Sequence, residues 1–487
     1  MNLIDKTVML LSPRRGAERL AWREQARLME KSYDAGSADR RNVNWRAYND
    51  SGEMMDRYER DVVRARVRDL ERNSDMANAM ISARVRNTVG KGITLQAKTD
   101  DPDFNAQAEA LWKKWCRARN CDVTRSQNFN QMLRMAVRRK MVDGGIIFLK
   151  CYTSDGLVPF KLQTLEVDEL CLSQTTPKKK GNKVISGVEY NSYNRAVGYW
   201  FQRYSADGMT VNDPEYYDAE RVIFYFSKKR PSQVREISDL APTVSRIRDV
   251  NEYMDAVAMK ERVAACLSAF ITRQNPASGF GRANAAAADS RDSYDGRHLA
   301  PGMIFELGAG DDVKVVSPGN SSGESESFLK TQERLMAAGQ GMSYEVVSRD
   351  MSQTNYSSAR QGLIEDDETF AEEVESLKEV IMDEVYETFL ISCEVSGLFG
   401  VRDFWENKES YMSHTWVSAP KRWIDPAKEA NATKIALDSK QKSFKDVCAE
   451  NGKDWQEQID DMAEVAAYAA SKGIELGGNT NGQNKTT

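Results

Sequence analysis

Histidine is nearly missing: His298 and His414 are the two in 487 residues. That excludes a site built on three imidazoles and leaves a histidine-based catalytic dyad poorly supplied. Cysteine is sparse and scattered. Cys116, Cys121, Cys151, Cys171, Cys266, Cys393 and Cys448 are odd in number and irregularly spaced, which argues for reduced thiols in a cytoplasmic compartment. Cys116 and Cys121 lack a matching second pair of ligands, so no zinc site is expected. No apolar run approaches the length of a membrane span. The opening MNLIDKTVMLLSPRRG sets its apolar patch before its basic residues, the reverse of a signal peptide. No G-x-x-x-x-G-K-[ST] occurs, so the chain carries no P-loop. One G-x-S-x-G string, Gly319–Gly323, sits in a loose Ser/Gly stretch with only His414 downstream. It reads as chance composition rather than a hydrolase elbow.

An excess of positive charge is also lacking. Sixty-eight Lys and Arg face 73 Asp and Glu, a net charge of -5. A surface that grips nucleic acid all over would be basic, so any such contact must be local. What is present suffices for a folded protein. Hydrophobic residues make up 41%, and the length predicts two to four domains.

The chain is organised around Ser327–Phe399. Ser327–Ala338 reads as a helix ending at Gly339 and Gly341. A polar loop, Met342–Arg360, follows, with Ser357 as the expected N-cap. Then Leu363, Phe370, Val374, Leu377, Ile381, Val385 and Phe389 recur at helical spacing. No Gly or Pro interrupts from Leu363 to Val395, and Gly397 is the stop signal. Between Ser357 and Glu394 twelve acids meet only Arg360 and Lys378. The spacing therefore predicts a long helix, apolar on one face and acidic on the rest.

Taken in order, Ala17–Ser32 is a predicted helix and Asp56–Gly90 a mostly helical stretch. In the latter, Arg64, Arg66, Arg68 and Arg72 interleave with Asp61, Asp69 and Glu71, as on an exposed face laced with ion pairs. Phe104–Arg117, with Trp112 and Trp115 as core residues, and Gln131–Val142 are further helices. Ile93–Ala97, Ile146–Tyr152, Val158–Gln163, Leu170–Ser173, Ile185–Asn191, Val197–Arg203 and Val222–Phe226 read as strands. Lys178–Lys180 reads as a charged hairpin tip that discourages edge pairing, with a DNA or partner contact as the sharper alternative. Asp239–Arg273 is a second long helix, capped by Asp239. Asn275–His298 is low-complexity. Met303–Leu307 and Val313–Val316 read as a hairpin. Helices over Ala427–Asp438, Ser443–Asn451 and Trp455–Ser471 precede a polar tail expected to be disordered. The fold class is α+β, mainly helical.

Four runs resemble the portal proteins of lambda-like tailed phages. They are YDAGSADRRNVNWR at Tyr33–Arg46, FSKKRPSQVREISDLAP at Phe226–Pro242, GMSYEVVSRDMSQTNYSSAR at Gly341–Arg360 and WIDPAKEANA at Trp423–Ala432. In the second run Ser232 and Glu236 stand where the family usually has glycine. The resemblance implies a homo-oligomeric ring at one capsid vertex, typically of twelve copies, through which double-stranded DNA enters and leaves. It implies no enzymatic activity and no cofactor. Expected partners are the terminase large subunit, the major capsid protein and scaffold, and head–tail joining proteins. The expected location is the virion, and the host cytoplasm during assembly. By the same resemblance, residues 1–57 form an N-terminal arm, 58–237 an α+β wing, 238–273 a stem helix and 274–326 a clip. Residues 327–341 form a second stem helix, 342–357 a tunnel loop, 358–422 a long kinked helix with return to the wing, and 423–474 a helical crown before the tail, 475–487.

The candidate site follows from this frame. Arg349, Gln353, Asn355 and Arg360 are the expected DNA-channel residues, through sequence-independent phosphate contacts. The competing reading pairs Arg349 and Arg360 with Asp350 and nearby acids. Glu365, Asp366, Asp367, Glu368, Glu372 and Glu373 are expected as a solvated acidic face of a channel or wing helix, softly repelling DNA within a screening length of about 8 Å. Arg282, Arg291 and Arg297 are the expected clip contacts with partners. The alternative function is a carboxylate- and metal-dependent nuclease, which requires those acids to converge on a pocket. Helical spacing turns consecutive acids in different directions and argues against it.

Overall fold

The computed structural model describes residues 7–8, 10–30, 44, 47–205, 207–209, 211–266, 270–271, 305–306, 322–352, 355–418, 425–453 and 455–474. They fall into two units, Met1–Met55 and Asp56–Thr487. The first holds helix α1, Pro13–Glu30, which begins earlier than the spacing predicts because proline is tolerated in a first turn. Its Trp22 is exposed, as are Leu10 and Leu11 before it. Arg40 and Arg41, in the first family-like run, lie outside the described residues, and so does the tail, 475–487.

The second unit opens with α2, Arg60–Asn73, and α3, Asp75–Thr88. Ser74 separates them. It ends α2 in an extended conformation, and its hydroxyl accepts the Ala77 N–H to start α3. Strand β1, Thr94–Ala97, leads to α4, Pro102–Trp115, capped by Asp101. Helix α5, Phe129–Asp143, starts from a reciprocal Asn128/Gln131 cap and ends at Gly144 with φ 94°. A Cβ at Gly144 would lie 2.5 Å from the Ile237 carbonyl carbon, so only glycine fits there.

Strands β2, Gly145–Tyr152, and β3, Phe160–Leu165, begin the first sheet. Next come β4, Lys183–Ile185, β5, Val188–Tyr190, β6, Ala196–Phe201, β7, Glu215–Asp218, and β8, Val222–Phe226. They make two antiparallel sheets, of order β3-β2-β8 and β4-β5-β6-β7. The single strand expected over Ile185–Asn191 is instead cut at its start by a two-residue turn. Ser186 and Gly187 both take positive φ, the geometry of a hairpin turn that matches strand twist. Leu170 forms only an isolated bridge to Phe201, not the strand expected over Leu170–Ser173.

The long helices differ from expectation at their ends. Helix α6 runs Val244–Cys266, and Asp239 stands in the turn before it rather than at its cap. Beyond it, strand β9, Phe270–Ile271, pairs in parallel with β10, Phe305–Glu306. This replaces the hairpin expected from Met303–Leu307, whose other strand, Val313–Val316, lies outside the described residues along with Gly319–Ser321. Helix α7 starts earlier than Ser327, at Ser322–Gly339. It runs antiparallel to α6. Gln340 Nε2 donates to Thr243 Oγ1 (2.7 Å), Arg246 meets Gln332 (3.2 Å), and Tyr253 OH donates to Ser325 Oγ (3.0 Å).

After the short helix α8, Tyr344–Ser348, comes α9, Tyr356–Leu377. It passes through a π-helical turn, Lys378–Met382, into α10, Asp383–Val395. The wider turn slips one residue into the ladder and lets the consecutive Ile381 and Met382 both be fully buried. Strand β11, His414–Val417, pairs antiparallel with β1. Helices α11, Pro426–Asp438, α12, Phe444–Glu450, and α13, Trp455–Ser471, follow, with Asp425 and Ser443 as caps.

One core packs α4, α5, β2 and α10. Trp112 stacks on Trp115 at 5.1 Å and meets Phe129, Tyr386, Phe389 and Trp416 edge-on or tilted. Each such side chain contributes about 1.5–3 kcal/mol by burial. The Trp115 indole N–H is satisfied by the Phe160 carbonyl, 3.0 Å away. A second core joins α2, α3, α6, α7 and α9, and a third lies between the two sheets.

Candidate channel segment

The segment Met342–Arg360 is less of a loop than its polarity predicts. Ser343 caps α8 by accepting the Val346 N–H. Arg349 closes it in the left-handed region, φ 60°. Asp350 then takes hydrogen bonds from Tyr344 OH (3.2 Å) and the Ser352 N–H (3.0 Å). The Ser352 hydroxyl and N–H hold its carboxyl below the usual range. Asp350 thus has these partners, and Arg349 stands exposed. Asn355, not Ser357, caps α9: its side chain accepts the Ser358 N–H at 2.9 Å. Asn355 therefore has a local structural task. Arg360 is exposed on the first turns of α9, and Gln353 lies outside the described residues.

The acidic face divides. Glu365, Glu368 and Glu372 are exposed and Asp367 half-buried. Asp366 and Glu373, expected on the same solvated face, are buried at 3% and 6% exposure. Asp366 accepts both the Ser343 N–H and its hydroxyl, each at 2.6 Å. Burial raises its carboxyl above the ordinary value, against those bonds. Glu373 receives Lys140 of α5 (2.7 Å), Arg84 of α3 (3.4 Å) and the Tyr225 hydroxyl of β8. Burial alone would raise Glu373, but these donors outweigh it and hold the carboxyl low. One carboxylate ties the channel segment to α9, and the other ties α9 to three elements of the α+β region.

A second buried network anchors the start of α6. Arg64 and Arg235 converge on the fully buried Glu236 at 3.1 and 2.9 Å, and Arg60 donates to its carbonyl at 2.8 Å. Arg64 continues to Asp168 (3.1 Å), and Arg68 to Asp143 (2.6 Å) and Asp168 (2.7 Å). The mixed-sign face expected to be solvent-exposed is thus partly interior: Arg60 and Arg64 are 3% and 5% exposed. Neither Ser232 nor Glu236 takes a positive φ, so the turn is made without glycine, and Glu236 supplies the acceptor.

Lys178–Lys180 is not the expected hairpin tip: it lies in the connection from β3 to β4, which belong to different sheets, and Glu189 fastens it by accepting the N–H groups of Lys178 and Lys179. The clip candidates Arg282, Arg291 and Arg297 lie outside the described residues. Among the described residues no group of His, Cys, Asp or Glu comes together to hold a metal ion. The acids of α9 do not converge on a pocket, as the nuclease alternative requires. Sequence reasoning missed the Ser343–Asp366 and Arg64–Glu236 pairs. An acid in a glycine position was the one available signal.

The family model described as phage portal protein, lambda family, matches residues 38–373. A probable portal protein of Halomonas phage phiHAP-1 is 23% identical over 460 residues, covering 90% of this chain and 86% of that protein. Portal protein B of Escherichia phage lambda is 21% identical over 442 residues, covering 81% of each. Among solved structures, the neck of a native GTA particle computed with C12 symmetry covers 78% of this chain and 90% of its own, at 13% identity and a TM-score of 0.39. With more than half its length matched, this chain belongs to the lambda family of phage portal proteins, structural components of the virion rather than enzymes.

Proposed function

We propose that identical copies of this chain close into a ring, with twelve as the expected count, at one capsid vertex. Double-stranded DNA passes through its centre without sequence recognition. The observation that carries this reading is the apolar side chains that stand exposed, among the described residues, along the antiparallel α6/α7 pair. Met254, Met259, Phe328 and Leu335 are 46%, 57%, 43% and 51% exposed. Large apolar side chains left exposed along a helical pair fit a partner surface, and a head-to-tail contact between copies forms a ring when its rotation closes. In this reading residues 1–57 are the arm, 58–237 the wing, 238–273 and 327–341 the stem, 274–326 the clip and 423–474 the crown. Arg349 and Arg360 bring the segment 342–357 to the duplex. Helix α9 belongs with the wing, because Glu373 bonds to α3, α5 and β8. The clip, with Arg282, Arg291 and Arg297, meets the terminase large subunit and then head–tail joining proteins. The arm and wing meet capsid protein and scaffold.

Electron microscopy and native mass measurement of the purified chain test the ring. Rings with a central hole are expected, and a chain solitary at high concentration would sink the reading. Arg349→Gln with Arg360→Gln should leave rings intact while lowering DNA retained per particle. Unchanged retention would remove these two residues from the channel.

A further inference from the structure

Two helix faces in the second unit carry strong, opposite and exposed charge. Lys113 and Lys114 end α4, and Arg117 and Arg119 follow directly; all four are exposed. The dipole of α4 favours cations in its last turn, which accounts for the two lysines but not for the arginines beyond the end. Trp112 and Trp115, on the same turns, point into the aromatic core against α10. The lysines therefore look away from their own chain.

Helix α9 shows the converse. Glu365, Glu368, Glu372 and Glu375 are exposed and fall within about 80° of one another at 3.6 residues per turn. Glu379 continues the row, giving a ridge about 21 Å long. The buried Phe370, Glu373, Val374 and Leu377 occupy nearly the opposite side. Like charges three and four residues apart destabilise a helix, and Lys378 pairs with Glu375 at the C-terminal end of the ridge.

We infer that the α4 cationic patch of one copy docks on the α9 glutamate ridge of the next. The inference rests on the ring reading and names a contact within it. The two surfaces differ, so the contact is heterologous and repeats head to tail, as closure requires. Opposite potentials on facing patches fix register and speed encounter. Such an interface weakens with salt.

Two charge-swapped full-length variants test it: Glu368→Lys with Glu372→Lys, and Lys113→Glu with Lys114→Glu. All four positions are exposed, and circular dichroism with thermal melting checks that each variant folds as wild type does. Native mass spectrometry at low salt should show each variant alone losing its ring population at least about tenfold. A one-to-one mixture should recover rings, because each altered ridge then meets an altered patch of opposite sign, with copies alternating. Wild-type rings together with rings from either variant alone would overturn the contact and leave the ring standing. A monomeric wild type would overturn both. If the lysine variant assembled normally but bound duplex DNA less than wild type, the patch would belong to DNA and the contact would again fall.

Discussion

At the scale of single residues, carboxylates answered by several donors recur at the joints of the fold. Asp383, with its side chain 41% exposed, is a half-buried case. Its Oδ1 accepts from the Trp416 indole at 2.6 Å and from His414 Nε2 at 3.0 Å, while His414 Nδ1 faces the Met412 carbonyl at 2.6 Å. Both ring nitrogens thus meet oxygens, which suits the doubly protonated imidazolium. Burial would lower the His414 pKa, but the bond to Asp383 outweighs it and the value is raised. Asp383 is held low, its burial outweighed by His414 and Trp416. A raised histidine stabilises fully below its unfolded value near 6.5 and loses that contribution as pH rises through the folded value. A lowered aspartate stabilises above its unfolded value and loses it as pH falls through the folded one. Thermal melts should therefore show wild type losing stability on the alkaline side of about pH 6.5. His414→Gln should be flat across that window. Equal slopes would remove the imidazolium from the account.

At the scale of elements, helices and strands follow local rules, and the joints between them do not. Asp101, Asn128, Ser343 and Asp425 cap helices as residue types at those positions should. The segment before α6 is different, because its geometry is held by Glu236 between Arg60, Arg64 and Arg235. Replacing it with the residue usual in the family, Glu236→Gly, should cost about 3–5 kcal/mol, since the buried Arg235 loses its carboxylate partner and Arg64 keeps only Asp61 and Asp168. Urea titration of the unassembled chain measures this. A loss below about 1 kcal/mol would mean that water reaches the site. The π turn is a joint of the same kind. Acidic and apolar spacings on its two sides were legible, but the one-residue slip that reconciles them was not.

At the scale of the whole molecule, large apolar side chains stand exposed among the described residues of the single chain. Met259 and Phe328 are the measure of this. Phe328 lies tilted against Tyr253 of the adjacent helix, ring centroids 4.9 Å apart, yet it stays 43% exposed. Met259→Asp with Leu335→Asp should lower assembly strongly and leave the melting temperature of the unassembled chain within about 2 °C, because surface changes away from special features move stability little. Sedimentation velocity against wild type checks it; unchanged assembly would place the copy-to-copy contact elsewhere.

The sequence by itself determined where helices lie, which way the Trp112/Trp115 face turns, and to which family the chain belongs. Those depend on spacing, caps and motif strings, all local along the chain. Tertiary structure alone decided that Asp366 and Glu373 leave the acidic face, that Arg60 and Arg64 go inside, and that α6 and α7 run side by side. Each of these joins residues 23 to more than 230 positions apart. A charge reads as a surface residue in a one-dimensional pattern until its counter-charge is brought to it by the fold.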